Sequence, residues 1–160
     1  MTSVQPELLR QMPGVRIAGH GAAAPSRILT NHDLEKMVDT SHEWIVQRTG
    51  IQRRHICDQE TEGEFTLARD ATRQAIERAD VDPGEIDLLI HASVSAEMTC
   101  PSNACRIAAE LGLAPAGAFD LVAACSGFLY GINVADTLIR SGRHKTIAVA
   151  RIRRARATSR

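Results

Sequence analysis

Leu121-Val122-Ala123-Ala124-Cys125-Ser126-Gly127 runs an apolar segment into a single cysteine and then into small residues. Just before it, Ala118, Phe119, Leu121 and Val122 read as a short buried strand; just after it, Phe128 to Ile139 reads as an apolar helix rich in small residues. Cys125 therefore falls at a strand-to-helix junction. There, free backbone N–H groups and the positive end of the helix dipole stabilise negative charge on sulfur, and the thiolate is the nucleophilic form. Ala123, Ala124, Ser126 and Gly127 leave space for a substrate to reach the sulfur and for N–H groups to face a developing oxyanion. The same seven residues also fit a buried structural thiol, since free cysteine is among the most buried residue types. Both readings stay open at this point.

Working outward, strands and helices alternate. Val15 to Ala23 reads as a first strand closed by Ala24-Pro25-Ser26, after a loose extension over residues 1–14. Thr30 or Asn31 can cap a helix through Leu34, Met37 and Val38. Thr40-Ser41-His42-Glu43 repeats the signal for a helix with Trp44, Ile45 and Val46, stopped by Gly50. Ile51 to Ile56 reads as an exposed strand or hairpin arm, and Asp58 to Glu64 as a loop. Phe65 to Ala79 is an amphipathic helix with Leu67, Ala68, Ala71, Ala75 and Ile76 on one face. Ile86 to Val94 reads as a buried central strand, because Leu88-Leu89-Ile90 shows no alternation. Ser102 caps a helix over Asn103 to Leu111 that Gly112 ends, and Thr146 to Ala150 begins a last strand. This order implies an α/β layered domain with a largely parallel or mixed sheet.

Composition narrows the function classes. A chain of 160 residues with 44% hydrophobic and 24% charged residues suffices for one folded domain. Its five aromatics, Trp44, Phe65, Phe119, Phe128 and Tyr130, leave the core to Ala, Val, Ile and Leu. No apolar run approaches bilayer length, and Met1 to Gly14 lacks the apolar stretch of a secretory signal, so a cytoplasmic protein with no membrane partner is expected. Cys57, Cys100, Cys105 and Cys125 form no C-x-x-C pair and fit a reducing compartment. His55, Cys57, Cys100 and Cys105 do not have the short chelate spacing of a zinc site, and no metal is expected. Five of the last ten residues are arginine, while the other 150 carry 14 basic and 19 acidic groups, so no nucleic-acid partner is indicated outside that tail.

Three stretches together resemble the β-ketoacyl-acyl carrier protein synthase III family of the thiolase-like superfamily. They are Asn31 to Ile45, Arg48-Thr49-Gly50-Ile51 with Arg53-Arg54-His55-Ile56, and Ala123-Ala124-Cys125-Ser126-Gly127-Phe128. The resemblance runs from about Val15 to about Val149 and implies the N-terminal half of a thiolase-like αβαβα layered fold. It implies an acyltransferase that opens fatty-acid biosynthesis, condensing an acyl-CoA primer with malonyl-acyl carrier protein through a cysteine thioester. Cys125 matches the acyl-accepting cysteine, and this favours the nucleophile reading over the buried thiol. Trp44 matches the residue stacked on the CoA adenine, with Thr40 and Arg48 as neighbours at the nucleotide end. Without the family, Trp44 reads equally as a core or interface aromatic and Arg48 as an ordinary surface arginine. No cofactor is implied, the CoA thioester being a substrate, and a homodimer is expected of the full-length protein.

Three departures from the family pattern stand out. His42 stands where the family usually carries an acid. Cys100 falls where a larger side chain commonly reaches across the dimer into the partner's acyl pocket; it is a candidate substrate-binding residue that leaves more room, or else a small buried hydrophobe. From Arg151 the sequence leaves the family pattern. The expected division is therefore an extension over 1–14, an incomplete thiolase-like domain over 15–150 and an aberrant basic tail over 151–160. The family's catalytic histidine and asparagine belong to a second half, and none of His20, His32, His42, His55, His91 and His144 occupies that motif. A truncated, inactive fragment is the resulting expectation. The alternatives are another thiolase-like condensing enzyme and a non-catalytic CoA-binding fragment.

Overall fold

Leu88-Leu89-Ile90-His91-Ala92 is buried at every residue, and the rest of the molecule is layered on its two faces. The computed structural model describes residues 14–58, 62–96, 98–114 and 116–152. In chain order the elements are β1 (Arg27–Thr30), α1 (Asn31–Glu35), α2 (His42–Thr49), β2 (Arg53–Ile56), α3 (Glu64–Ala79), β3 (Leu88–Ala92), α4 (Asn103–Glu110), β4 (Gly117–Leu121), α5 (Gly127–Arg140) and β5 (Ile147–Arg151). Single 3-10 turns at Pro83–Glu85 and Ala124–Ser126 lead into β3 and α5.

The main sheet has the order β4-β3-β5 and is wholly parallel, with Leu88 opposite both Gly117 and Ile147. Alternation along β3 sends Leu89 to one face, where it packs with Ala68, Ile76, Ala104 and Ile107 from α3 and α4. Leu88 and Ile90 go to the other face, against Ala135 of α5. Removing a Leu or Ile side chain from water contributes about 1.5–3 kcal/mol, so this strand is a large share of the stability of a small domain. The result is an α/β/α layering. A separate two-stranded antiparallel ribbon pairs β1 with β2, Arg27 opposite Ile56 and Thr30 opposite Arg53.

Helix ends follow their local chemistry. Thr30 caps α1 in a reciprocal box: its hydroxyl accepts from Asp33 N at 3.2 Å, and Asp33 Oδ2 accepts from Thr30 N at 3.0 Å. Ser41 and Ser102 cap α2 and α4 through their hydroxyls. Gly50 closes α2 in the left-handed region at φ 70°, where a Cβ would be strained.

Four expectations are corrected. Val15 to Ala23 forms no ladder strand; it is fastened to α3 instead, Ala22 N donating to Gln74 Oε1 at 3.0 Å and Arg78 Nη1 to His20 O at 3.1 Å. Without a neighbouring strand among the described residues, a β-forming segment has no ladder to join. The first helix ends at Glu35, so Met37 and Val38 lie outside it and are exposed. β4 stops at Leu121 on the edge of the sheet, leaving Val122 and part of Phe119 exposed rather than buried. Last, β5 runs on through Arg151, and Ile152 N donates to Ala92 O at 3.4 Å, so the strand claims the first residue assigned to the basic tail. The remainder of that tail, 153–160, and nearly all of the N-terminal extension, 1–13, fall outside the described residues.

Segment 14–23 approaches α3 closely enough that Gly19 and Gly21 leave no room for side chains. A Cβ on Gly21 would meet the Ala71 carbonyl oxygen and lie 2.7 Å from Ala75 N. Gly21→Ala is expected to lower stability by about 1–3 kcal/mol through overpacking, measured by urea unfolding against wild type, whereas Gly14→Ala, which meets nothing, leaves it unchanged.

Candidate active site

The carboxyl edge of the parallel sheet gathers the loops that follow β3 and β4. Ala92 pairs with Leu121 at that edge, and Ser93 N donates to Leu121 O at 3.1 Å, so the loops diverge from one point. In open α/β sheets, ligands bind in the crevice at this end of the strands. Cys125 lies in the 3-10 turn directly before α5, in the turn that precedes the helix rather than in its first turn. It is exposed, which rules out the buried structural thiol. Two features hold it there. Ala124 adopts φ 45°, a left-handed conformation costly for a residue with a Cβ. Gly127 lets α5 begin against β3, since a Cβ there would lie 3.1 Å from that of Ala92. Ser126 N donates to Ala123 O at 3.1 Å and closes the turn.

Cys100 is on the neighbouring loop, two residues before the Ser102 cap of α4, and is exposed, so it is not a buried hydrophobe. The structure thus places Cys100 and Cys125 on adjacent loops of one sheet edge.

Beneath this edge lies a group that the sequence reading missed. His91 is fully buried between two carboxylates, with Nδ1 3.4 Å from Asp120 Oδ1 and Nε2 3.7 Å from Glu64 Oε1. These are ion-pair separations; neither ring nitrogen has a hydrogen-bond partner of good geometry. Asp120 in turn accepts from Asn103 N at 3.0 Å and Ala104 N at 2.8 Å, anchoring the start of α4. Ser95 Oγ donates to Glu64 Oε2 at 2.6 Å and ties the loop after β3 to the start of α3. One titratable residue inside an otherwise apolar five-residue run was the available signal.

A second surface forms at α2. Trp44 is 54% exposed, which removes the core-packing reading, and the Arg48 guanidinium lies 5.2 Å from its ring centroid. Asp39, Thr40, Ser41 and Trp44 line an open cleft of about 360 Å³. Thr40, Trp44 and Arg48 are therefore brought together on one face. Among the described residues no group of three or more His, Cys, Asp or Glu side chains is arranged to hold a metal ion, and no helix is long and apolar enough to cross a membrane.

Residues 119–155, which include the cysteine turn, match the sequence profile of the family described as 3-oxoacyl-[acyl-carrier-protein] synthase III. Over 134 residues, 84% of this chain, the sequence is 50% identical to "Beta-ketoacyl-[acyl-carrier-protein] synthase III 1" of Vibrio parahaemolyticus, covering 42% of that protein. The fold superposes on the crystal structure of 3-oxoacyl-[acyl-carrier-protein] synthase III from Aquifex aeolicus with a TM-score of 0.83 and 43% identity, over 86% of this chain and 44% of that one. Over the span they share, the chain matches proteins of the β-ketoacyl-acyl carrier protein synthase III family. It spans about two fifths of the length of the curated relatives it matches. A second solved structure, the priming β-ketosynthase from the R1128 polyketide biosynthetic pathway, matches with a TM-score of 0.79 and 34% identity, over 87% of this chain and 44% of that one.

Two predictions concern how the chain holds this region. Leaving a buried polar group without its neighbour costs about 1–3 kcal/mol, so His91→Leu, which leaves Glu64 Oε1 facing an apolar side chain, is expected to cost about that much in denaturant unfolding. Glu64→Val with His91→Val removes the acid and the imidazole together and is expected to recover part of that loss; a double variant as unstable as the single one contradicts the argument. At α1, hydrogen bonds from His32 and then from the His42 backbone hold the Glu35 carboxyl below its ordinary value of 4.5, and Thr30 holds Asp33 below 3.8. A lowered folded-state value gives stability that is present above the ordinary value and lost as pH falls through the lowered one. Glu35→Gln is thus expected to flatten the fall in Tm below about pH 4.5.

Proposed function

We propose that this chain carries the acyl-accepting half of a synthase III reaction. The observation that carries the reading is Cys125, exposed in a strained turn at the start of α5 and at the carboxyl edge of the sheet. In the first step the Cys125 thiolate attacks the carbonyl carbon of an acyl-CoA. The bond to the CoA sulfur breaks, and CoA leaves as a thiolate that takes up a proton. The acyl group is then held as an enzyme thioester, which divides a difficult condensation into two easier steps. In the second step malonyl-acyl carrier protein loses carbon dioxide, and the resulting carbanion equivalent attacks the carbonyl carbon of this thioester; the bond from that carbon to the Cys125 sulfur breaks, which returns the thiolate and leaves a β-ketoacyl group on the carrier protein.

Trp44, Thr40 and Arg48 form the surface proposed for the nucleotide end of CoA: an indole face suits adenine and a guanidinium suits phosphate. Cys100, on the adjacent loop, is proposed to border the acyl chain, where a small side chain admits primers bulkier than acetyl. Val122, Phe128, Leu129 and Tyr130 are exposed around the cysteine turn, an apolar surface of the kind that another subunit or another part of a longer protein covers. On this reading the chain forms part of a homodimeric, cytoplasmic acyltransferase of fatty-acid biosynthesis.

Decarboxylation needs groups that stabilise charge on the thioester oxygen, and no described histidine is placed for it. His91 is buried between carboxylates, and His144 faces Asp87 at the opposite, amino edge of the sheet. The 160 residues alone are therefore proposed to accept an acyl group without completing the condensation. The likeness to a priming polyketide ketosynthase supports a second reading, in which the same cysteine loads a starter unit for a different condensing pathway.

Incubating the purified chain with acetyl-CoA and mapping adducts by mass spectrometry is expected to show one acetyl group on Cys125, absent in Cys125→Ala. With malonyl-acyl carrier protein added, no ketoacyl product is expected. Acylation that persists in Cys125→Ala refutes the assignment.

A further inference from the structure

Asn31, the first residue of α1, is fully buried, and its side chain bonds to His42 of α2, to Ile51 just before β2 and to Arg54 of β2. Its Oδ1 accepts from Arg54 Nη2 at 2.9 Å. A guanidinium only donates, so this contact fixes which amide atom is the oxygen. The amide nitrogen then donates one hydrogen to the Ile51 carbonyl at 2.8 Å and directs the other at His42 Nδ1, 3.4 Å away. An amide NH2 offers no lone pair, so His42 Nδ1 must be the accepting, unprotonated nitrogen of its ring.

Other groups hold the same turn, the first of α2. The His32 ring is stacked on that of His42 at 4.9 Å and 13°. Glu35 bridges the two residues, Oε1 accepting from His42 N at 2.6 Å and Oε2 lying 3.1 Å from His32 Nδ1. Arg54 faces His42 through Asn31. His42 is the first residue of α2, and Trp44 and Arg48 lie on the same helix.

We infer that Asn31 and His42 are positioning residues for the Trp44–Arg48 surface: the accepting His42 Nδ1 locks the first turn of α2 onto Asn31. The ligand side of this inference rests on the CoA reading above; the geometric side does not.

Asparagine at position 42 separates the outcomes, because its Oδ1 hangs from Cγ as the histidine Nδ1 does and accepts without titrating. CoA binding to the whole chain, followed by quenching of Trp44 emission at pH 7.5, is measured for wild type, His42→Asn and His42→Ala. Which ring nitrogen of His42 carries the proton is read from nitrogen NMR shifts. Expected are a proton-free Nδ1, His42→Asn binding within about twofold of wild type, and His42→Ala about 5- to 10-fold weaker, the size of one lost hydrogen bond. A proton on Nδ1, or His42→Asn as weak as His42→Ala, overturns the inference. If CoA leaves wild-type Trp44 emission unchanged, the CoA reading fails. The positioning role is then scored from the emission maximum of Trp44, which should move in His42→Ala but stay in place in His42→Asn.

Discussion

Burial of β3 on both faces is the constraint from which the other elements take their places. A strand with no solvent face must be covered twice, and its neighbours must supply every ladder partner, because an unpaired buried N–H or C=O is costly. α3 and α4 cover Leu89 and His91 from one side, and α5 covers Leu88 and Ile90 from the other. β4 and β5 flank β3 in parallel, so all three strands end at one edge. Cys125 reaches that edge because β4 is in register with β3 and the following turn is too short to carry it elsewhere.

Close approach of backbones does the remaining work. Few aromatics are available, and helices come near the sheet through Ala and Gly: Gly131 of α5 leaves only 2.8 Å between a notional Cβ and Val149 Cγ1. The same economy places Gly127 over Ala92 and lets the cysteine turn sit directly on the end of β3. The buried charge group under this turn is the exception to an apolar core. It joins the starts of α3 and α4 to β3 and β4 through His91, so the loop bearing Cys100 and the strand leading to Cys125 share one anchor.

Most elements were legible in the sequence because their signals are local. Ser41, Ser102, Gly50 and Gly112 mark helix ends by chemistry that acts within a few residues, and the unbroken Leu88–Ile90 run announces a doubly covered strand. The cysteine junction was legible for the same reason, being one turn, whereas the Thr40–Trp44–Arg48 grouping rested on the family resemblance and not on a local signal. What failed depends on distant partners. Val15 to Ala23 has strand composition, but a ladder needs a neighbour that local pattern does not reveal. β1 was missed because Arg27-Ile-Leu-Thr becomes a strand only opposite Arg53–Ile56. Burial at Phe119 and Val122 was misjudged because edge position is a property of the whole sheet. The Glu64–His91–Asp120 group joins three elements and has no sequence spacing of its own.

The parallel ladders of β3 have a kinetic consequence. Leu88 and Gly117 are separated in the chain by the whole of α4, and Leu88 and Ile147 by α4, β4 and α5. Ordering of this kind meets the entropy of loop closure before any ladder bond repays it, and sheets built on such distant pairs fold slowly. Throughout that interval Leu88-Leu89-Ile90 is the longest unprotected β-forming run of the sheet, open to the same run on another chain. Productive folding is first order in protein and that encounter is second order. The yield of native chain on refolding is therefore set by dilution as much as by stability.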